Sequence, residues 1–275
     1  MKMQKSKWLT LALCMSLAGL TGCAKLKSRD QMNQGVQAYK NNHYAEAVRH
    51  FNEAVTLDPT NQNAQLYLAT SYMIQWVPGA DAPDNKKNYD MAKREFDEVL
   101  KRDPSNSLAL ASMASMAYNS ASSGTPEQKA AALEEARKWN QRRIEVDPKD
   151  AEPYYYLGVI NWAQAFPPIR DARMDAKMKN DDPGPIKDAK IKDPLKEKYG
   201  KQIDDGIDNL KKCLAIDKEN EDAMSYLNLL LRTKAALADS PDDAKADVAQ
   251  AEDWFNKSID TKKMKANRPV KAATS

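Results

Sequence analysis

The residues able to do chemistry are few and scattered. The chain has two histidines, His43 and His50, seven positions apart. Ordinary zinc spacings need pairs such as HxxxH or CxxC, and neither occurs. No glycine-rich phosphate loop occurs either. Catalysis needs a positioned nucleophile, base or metal, and the 39 Asp and Glu residues read as solvated helix faces. No catalytic residue, metal site or cofactor is therefore expected. A carboxylate pair assembled only by folding is the one route to a hydrolase left open. Of the three cysteines, Cys14 and Cys23 lie at the start of the chain and Cys213 stands apart. Cys213 has no intrachain disulfide partner and reads as a small buried filler rather than a reactive thiol.

The elements around these residues must be helices. Nine glycines, few β-branched runs and abundant Ala, Leu, Lys, Glu and Asp favour helix over strand. The formal charge of +3 comes from the start of the chain. Residues 1–22 carry Lys2, Lys5 and Lys7 and no acid, so from Cys23 onward 39 basic residues balance 39 acidic ones. That balance argues against a nucleic-acid partner, which would call for a basic face.

MKMQKSKWLTLALCMSLAGLTGC has a basic start and an apolar run from Trp8 to Leu20 that is too short to span a bilayer. Small residues then precede Cys23, as in an export signal. Leu20-Thr21-Gly22-Cys23 resembles the lipobox of bacterial lipoproteins. The resemblance implies cleavage before Cys23, its lipidation, and membrane attachment, with residues 1–22 as the signal peptide and 23–28 as a short tether. An ordinary secretory leader with a chance cysteine is the alternative. Ala24, where an aspartate would by family analogy favour inner-membrane retention, implies an outer-membrane position facing the periplasm. Lys25, Lys27 and Arg29 could touch headgroups or be simply solvated.

The rest of the chain repeats itself. Gly35, Tyr44, Ala47, Phe51, Ala54 and Asp58-Pro59 set an order that returns as Tyr89, Ala92, Phe96, Val99 and Asp103-Pro104. It returns more loosely at Leu133, Ala136, Ile144 and Asp147-Pro148, at Ile203, Gly206, Leu210, Cys213 and Asp217, and at Val248, Ala251, Phe255 and Ser258. Small residues let antiparallel helices approach, Phe51 fills the space between units, and Pro59 ends the second helix. The order Ala47-x3-Phe51 with Pro59 resembles the tetratricopeptide repeat. That resemblance implies an all-α solenoid of about five elongated helical hairpins over residues 29–261. The units fall at about 28–61, 62–106, 107–150, 151–220 and 221–261. Asn140 and Arg143 replace the expected apolar and small residues, so packing there is expected to be looser or rearranged. The basic tail, 262–275, is expected to be disordered.

The extra length of the fourth unit, 163–200, reads as a long insertion between its two helices. Phe166, Pro167, Pro168 and Ile169 within it are apolar or rigid. They fit either a docking platform or lid, or a patch covering the edge beside Trp76. In the tetratricopeptide family the first helix of each hairpin lines a concave groove. By register that groove would present Tyr39, Met73, Tyr118, Tyr155, Trp162 and Arg232, which are residue types enriched at interface hot spots. Packing against neighbouring helices is the competing role for these side chains. The family's carboxylate clamp is not matched, since Val36 and Thr70 stand where Asn would be needed. The expected function is a membrane-anchored scaffold of the cell envelope that binds a protein or peptide. A glycan or other small-ligand module is the alternative.

Overall fold

The computed structural model describes residues 23–178, 182 and 184–268. The expected leader, 1–22, the insertion residues 179–181 and 183, and the tail residues 269–275 lie outside the described residues. The described chain forms two compact units divided after Ala132. The first holds α1 (residues 23–40), α2 (Tyr44–Leu57), α3 (Gln62–Gln75), α4 (Pro83–Arg102) and α5 (Ser107–Ser120). The division falls within α6 (Pro126–Val146). The second unit continues with α7 (Ala151–Asp175), α8 (Ala189–Ile216), α9 (Glu221–Ala235) and α10 (Pro241–Ala266). Among the described residues there is no strand. None of their helices is long and apolar enough to cross a membrane.

The first four helical hairpins end in the same local device, built by two side chains three residues apart. The Asp58 carboxylate accepts the Thr60 N–H, and Asn61 then caps α3 by accepting the Ala64 N–H. Asp103 with Ser105, followed by Asn106 with Ala109, repeats the arrangement before α5. Asp147 with Lys149 and Asp150 with Glu152 repeat it before α7. Asp217 with Glu219 and Asn220 with Ala223 repeat it before α9. The first residue of each pair makes an Asx turn and the second satisfies an orphan helical donor. Thus Asp58-Pro59 does more than stop a helix: it begins the turn that starts the next one.

Packing follows the repeat order. In the first unit Phe51 is fully buried among Ala38, Ala47 and Leu68. Gly35 makes room for it, since a Cβ there would lie 2.6 Å from Phe51 Cε1. In the second unit Ile203, Leu210, Cys213, Leu227 and Ala251 form one core with Ala165 and Ile169. Gly158 of α7 plays the part of Gly35, lying directly under the Leu210 side chain.

Several expectations need correction. The tether 23–28 is helical, and Ser28 is fully buried, with its hydroxyl donating to the Ala54 carbonyl at 2.8 Å. Most of the interval 163–200 is not a loop. α7 runs on through Pro167 and Pro168 to Asp175, and α8 already begins at Ala189. Two prolines remove two helical donors, but Ala165 and Ile169 on either side are buried, and that burial holds the helix together. The tail is helical as far as Ala266. There Lys265 pairs with Glu221, and Arg268 pairs with Glu219 at 2.5 Å. Asn140 and Arg143 are both buried rather than loosely packed. Arg143 reaches the carboxylates of Asp150 and Glu152 at 2.8 and 2.5 Å, so its charge is met at the start of α7.

Candidate functional site

The site residues expected from sequence separate by unit. Tyr39 of α1 is half-buried in a ring cluster, edge-on to Tyr44 at 5.4 Å and to Tyr67 at 6.1 Å. Met73 and Tyr118 are half-buried on α3 and α5. In the second unit Tyr155, Trp162, Phe166 and Ile169 all lie on α7, and Arg232 is exposed on α9.

On α7, Tyr155, Trp162, Phe166, Arg170 and Arg173 follow one another at intervals of seven, four, four and three, so they share a face. α9 packs along α7 and inserts Tyr226 into the row. Its ring lies 5.8 Å from Tyr155 and 5.5 Å from Trp162, edge-on to both. Tyr155 meets Tyr156 at 5.3 Å, and Trp162 stacks on Phe166 at 4.9 Å with an interplanar angle of 18°. Such pairs contribute about 0.5–1.5 kcal/mol each beyond area burial, so the row is held rigid before any partner arrives. The Arg170 guanidinium ends the row, 5.8 Å over the Phe166 ring. The Trp162 Nε1–H is buried and has no hydrogen-bond partner among the described residues. Burial pushes the Tyr156 and Tyr226 hydroxyls above their ordinary pKa, so both stay neutral donors at physiological pH.

Beyond Phe166 the row opens into a cavity of about 310 Å³. Phe166, Ile169 and Leu229 give it an apolar floor, and Arg170, Arg173 and Arg232 bring three guanidiniums to its lining. Arg173 donates to the main-chain carbonyls of Gly184 at 2.9 Å and Asp182 at 2.5 Å. The Ile186 N–H donates to the Ala236 carbonyl at 2.9 Å, so residues 184–186 are docked against the end of α9. Phe166 and Ile169 therefore belong to the α7 face and the core beneath it. Trp76, for its part, has Tyr89 as its ring partner at 5.0 Å.

Tyr226, Arg170 and Arg173 are the members of this face that sequence reasoning missed. Tyr226 stands six residues after the Asn220 cap, as Tyr67 does after Asn61 and Tyr156 after Asp150, and that register was available. The two arginines had no face to belong to while 163–200 was read as a loop.

A second cavity, of about 420 Å³, includes Lys196, Asp204, Lys234, Asp239, Asp243 and Asp247 in its lining. Its charges are largely matched internally. Lys196 holds Asp239 at 2.5 Å, Lys234 holds Asp204 at 2.8 Å, and Asp243 accepts from the Ser240 hydroxyl at 2.7 Å in the cap of α10. Burial raises the Asp247 carboxyl, against the opposing pull of Lys234. Among the described residues no group of three His, Cys, Asp or Glu is placed to hold a metal ion.

Comparison with known proteins bears on the fold. Residues 29–61 match the family model of the tetratricopeptide repeat. A comparison with curated proteins gives no match. Among solved structures, a MamA protein is similar at 16% identity and a TM-score of 0.51, covering 89% of this chain and 96% of its own. A MamA RS-1 double mutant is similar at 15% identity and TM-score 0.55, covering 88% and 98%. MamA from Desulfovibrio magneticus RS-1 is similar at 16% identity and TM-score 0.53, covering 86% and 96%. These are tetratricopeptide solenoids, and identities this low speak for fold alone. The fold is thus all-α, a tetratricopeptide-like solenoid of helical hairpins, and its first hairpin matches the repeat's own family model.

Proposed function

We propose that this chain is a non-enzymatic scaffold that binds a protein or peptide segment along the aromatic face of α7 and α9. The observation that carries the reading is the row Tyr155–Tyr226–Trp162–Phe166, rigidified by ring contacts and left half-buried. Rigid aromatics lose little side-chain entropy on binding, and with arginine they dominate interface hot spots. We further propose that the scaffold is tethered to an envelope membrane, on its outer-membrane side, through a lipidated Cys23, and works within an assembly or secretion complex there. The Leu20–Cys23 motif supports the anchor, and Cys23 is exposed.

A photo-crosslinker placed at Tyr155 and at Trp162 in intact cells, with exposed Lys138 of α6 as control, tests the binding face. A discrete protein adduct from the two face positions alone is expected. Absence of any protein adduct from a folded chain would reject the protein-binding reading. The anchor is tested by Cys23→Ser, which should abolish processing and membrane fractionation.

A glycan is the second reading, favoured by the nearly parallel, half-buried Trp162–Phe166 stack. Quenching of Trp162 fluorescence by cell-wall fragments would support it. A hydrolase reading has less to stand on. In the second cavity Asp204, Asp239 and Asp243 are committed to lysines and a helix cap, so the carboxylates around the raised Asp247 already have partners.

A further inference from the structure

We infer that the cavity at the end of the aromatic row is an anion-selective subsite, and that it takes an acidic peptide segment presenting a carboxylate next to an apolar side chain. The inference rests on the peptide-binding reading above and names the chemistry of the partner. Three cations, Arg170, Arg173 and Arg232, come from two helices to one opening of about 310 Å³, and Phe166, Ile169 and Leu229 lie beneath them. A guanidinium matches a carboxylate bidentately, and the apolar floor excludes water from the pair, which strengthens it.

The arginines are placed to exchange partners. Arg170 donates from Nε and Nη2 to a single oxygen of its neighbour Asp171, at 2.9 and 2.7 Å, and both residues are exposed. Arg232 lies 3.9 Å from Glu252, and its Nε–H donates to Asn228 at 2.9 Å. Exposed pairs of this kind contribute little, so a carboxylate arriving over the apolar floor competes well with them. Arg173 has a different job: through Gly184 and Asp182 it fixes the wall of the opening. Burial lowers its pKa, with Asp182 acting the other way, so an added anion relieves a charge that the fold has desolvated. Among the described residues of the lining Asp182 is the one carboxylate, so the arginines outnumber the acids there.

The test is peptide phage display on the full processed chain, using a random library free of designed bias. Enriched peptides should carry Asp or Glu beside Leu, Ile, Phe or Trp. Synthetic versions should bind at least tenfold more weakly to Arg170→Gln and to Arg232→Gln, in line with loss of one charge-assisted contact. Asp→Asn and Glu→Gln peptides should lose a similar factor, and added salt should weaken binding. Both variants alter exposed side chains, and far-UV circular dichroism checks that they stay folded. Neutral or basic peptides whose binding is lost in Trp162→Ala but kept in the arginine variants would overturn the anion subsite and leave the scaffold reading standing. No enriched peptide at all would overturn both. Arginine-dependent binding to phosphatidylglycerol vesicles without peptide binding would also overturn the proposal, in favour of a lipid headgroup.

Discussion

Trp162 and Phe166 stand one helical turn apart on α7 with their rings stacked at 4.9 Å, and the two prolines that follow do not break the helix that holds them. Phe166 is half-buried, whereas Ile169, three residues on, is 1% exposed. The same short stretch therefore carries both a contact residue and a core residue.

That difference predicts separable effects. Ile169→Ala should destabilise the second unit by about 2–5 kcal/mol, the usual range for emptying a buried aliphatic site. Phe166→Ala should cost less stability and yet abolish crosslinking from Trp162. Urea melts beside crosslinking yields check both. Equal stability losses would show that Phe166 is only packing.

Gly35 faces Phe51 with no space between them. Gly35→Ala gains about 1 kcal/mol of helix propensity, but its methyl would lie 2.6 Å from a ring that is fully buried and has nowhere to move. Overpacking costs about 1–3 kcal/mol, so the net change should be a lower melting temperature. The double variant Gly35→Ala with Phe51→Leu should regain part of that loss.

The paired caps give a third expectation. Asn61→Ala and Asn220→Ala should each cost about 0.5–2 kcal/mol by leaving the Ala64 and Ala223 N–H groups unsatisfied. Hydrogen exchange at the starts of α3 and α9 reads each loss locally. If exchange speeds up equally throughout both units, the caps do not act where the geometry places them.

Cys213 predicts a pH effect. Burial, aided by Asp217 and Asp150, pushes its thiol up to about 11 from an ordinary 9.0. The unfolded chain then releases this proton at lower pH than the folded one. The thiol's contribution to stability is intact below about pH 9 and is lost progressively towards pH 11. In a Cys23→Ser chain lacking the leader, Cys213 should react with a disulfide reagent only on unfolding. Fast labelling of the folded chain at neutral pH would contradict this.

The fold was legible where sequence and packing say the same thing at short range. Gly35, Ala47, Phe51 and the Asp-Pro endings each report a local steric need, and the structure meets it at those residues. Pro126 and Pro241 open α6 and α10 by an equally local rule, because a proline suits a first helical turn. The stretch 163–200 was not legible. Its prolines and mixed charges give local signals for a loop, and the burial of Ala165 and Ile169 that overrides them in α7 is visible only in three dimensions. At Arg143 the expected choice between looser and rearranged packing resolves as rearranged, through partners Asp150 and Glu152 that only the following helix supplies. Of the candidate site, Tyr155, Trp162 and Arg232 were picked out by register and Phe166 by its apolar character within the insertion, and the arginines beyond Phe166 were hidden by the loop reading.

The long fourth hairpin has a consequence for how this chain can vary. α7 has 25 residues where α3 and α5 have 14, so at about 1.5 Å per residue it reaches roughly 16 Å further. The added turns sit at the hairpin's tip, away from the capped base where Asp150 and Asp217 set the register. A hairpin that grows from its tip works like a telescoping arm: whole turns can be added or removed there while the seam between hairpins stays in phase. The Arg170–Arg173 end can thus be lengthened or retuned without rewriting the buried stack on which the arm is mounted.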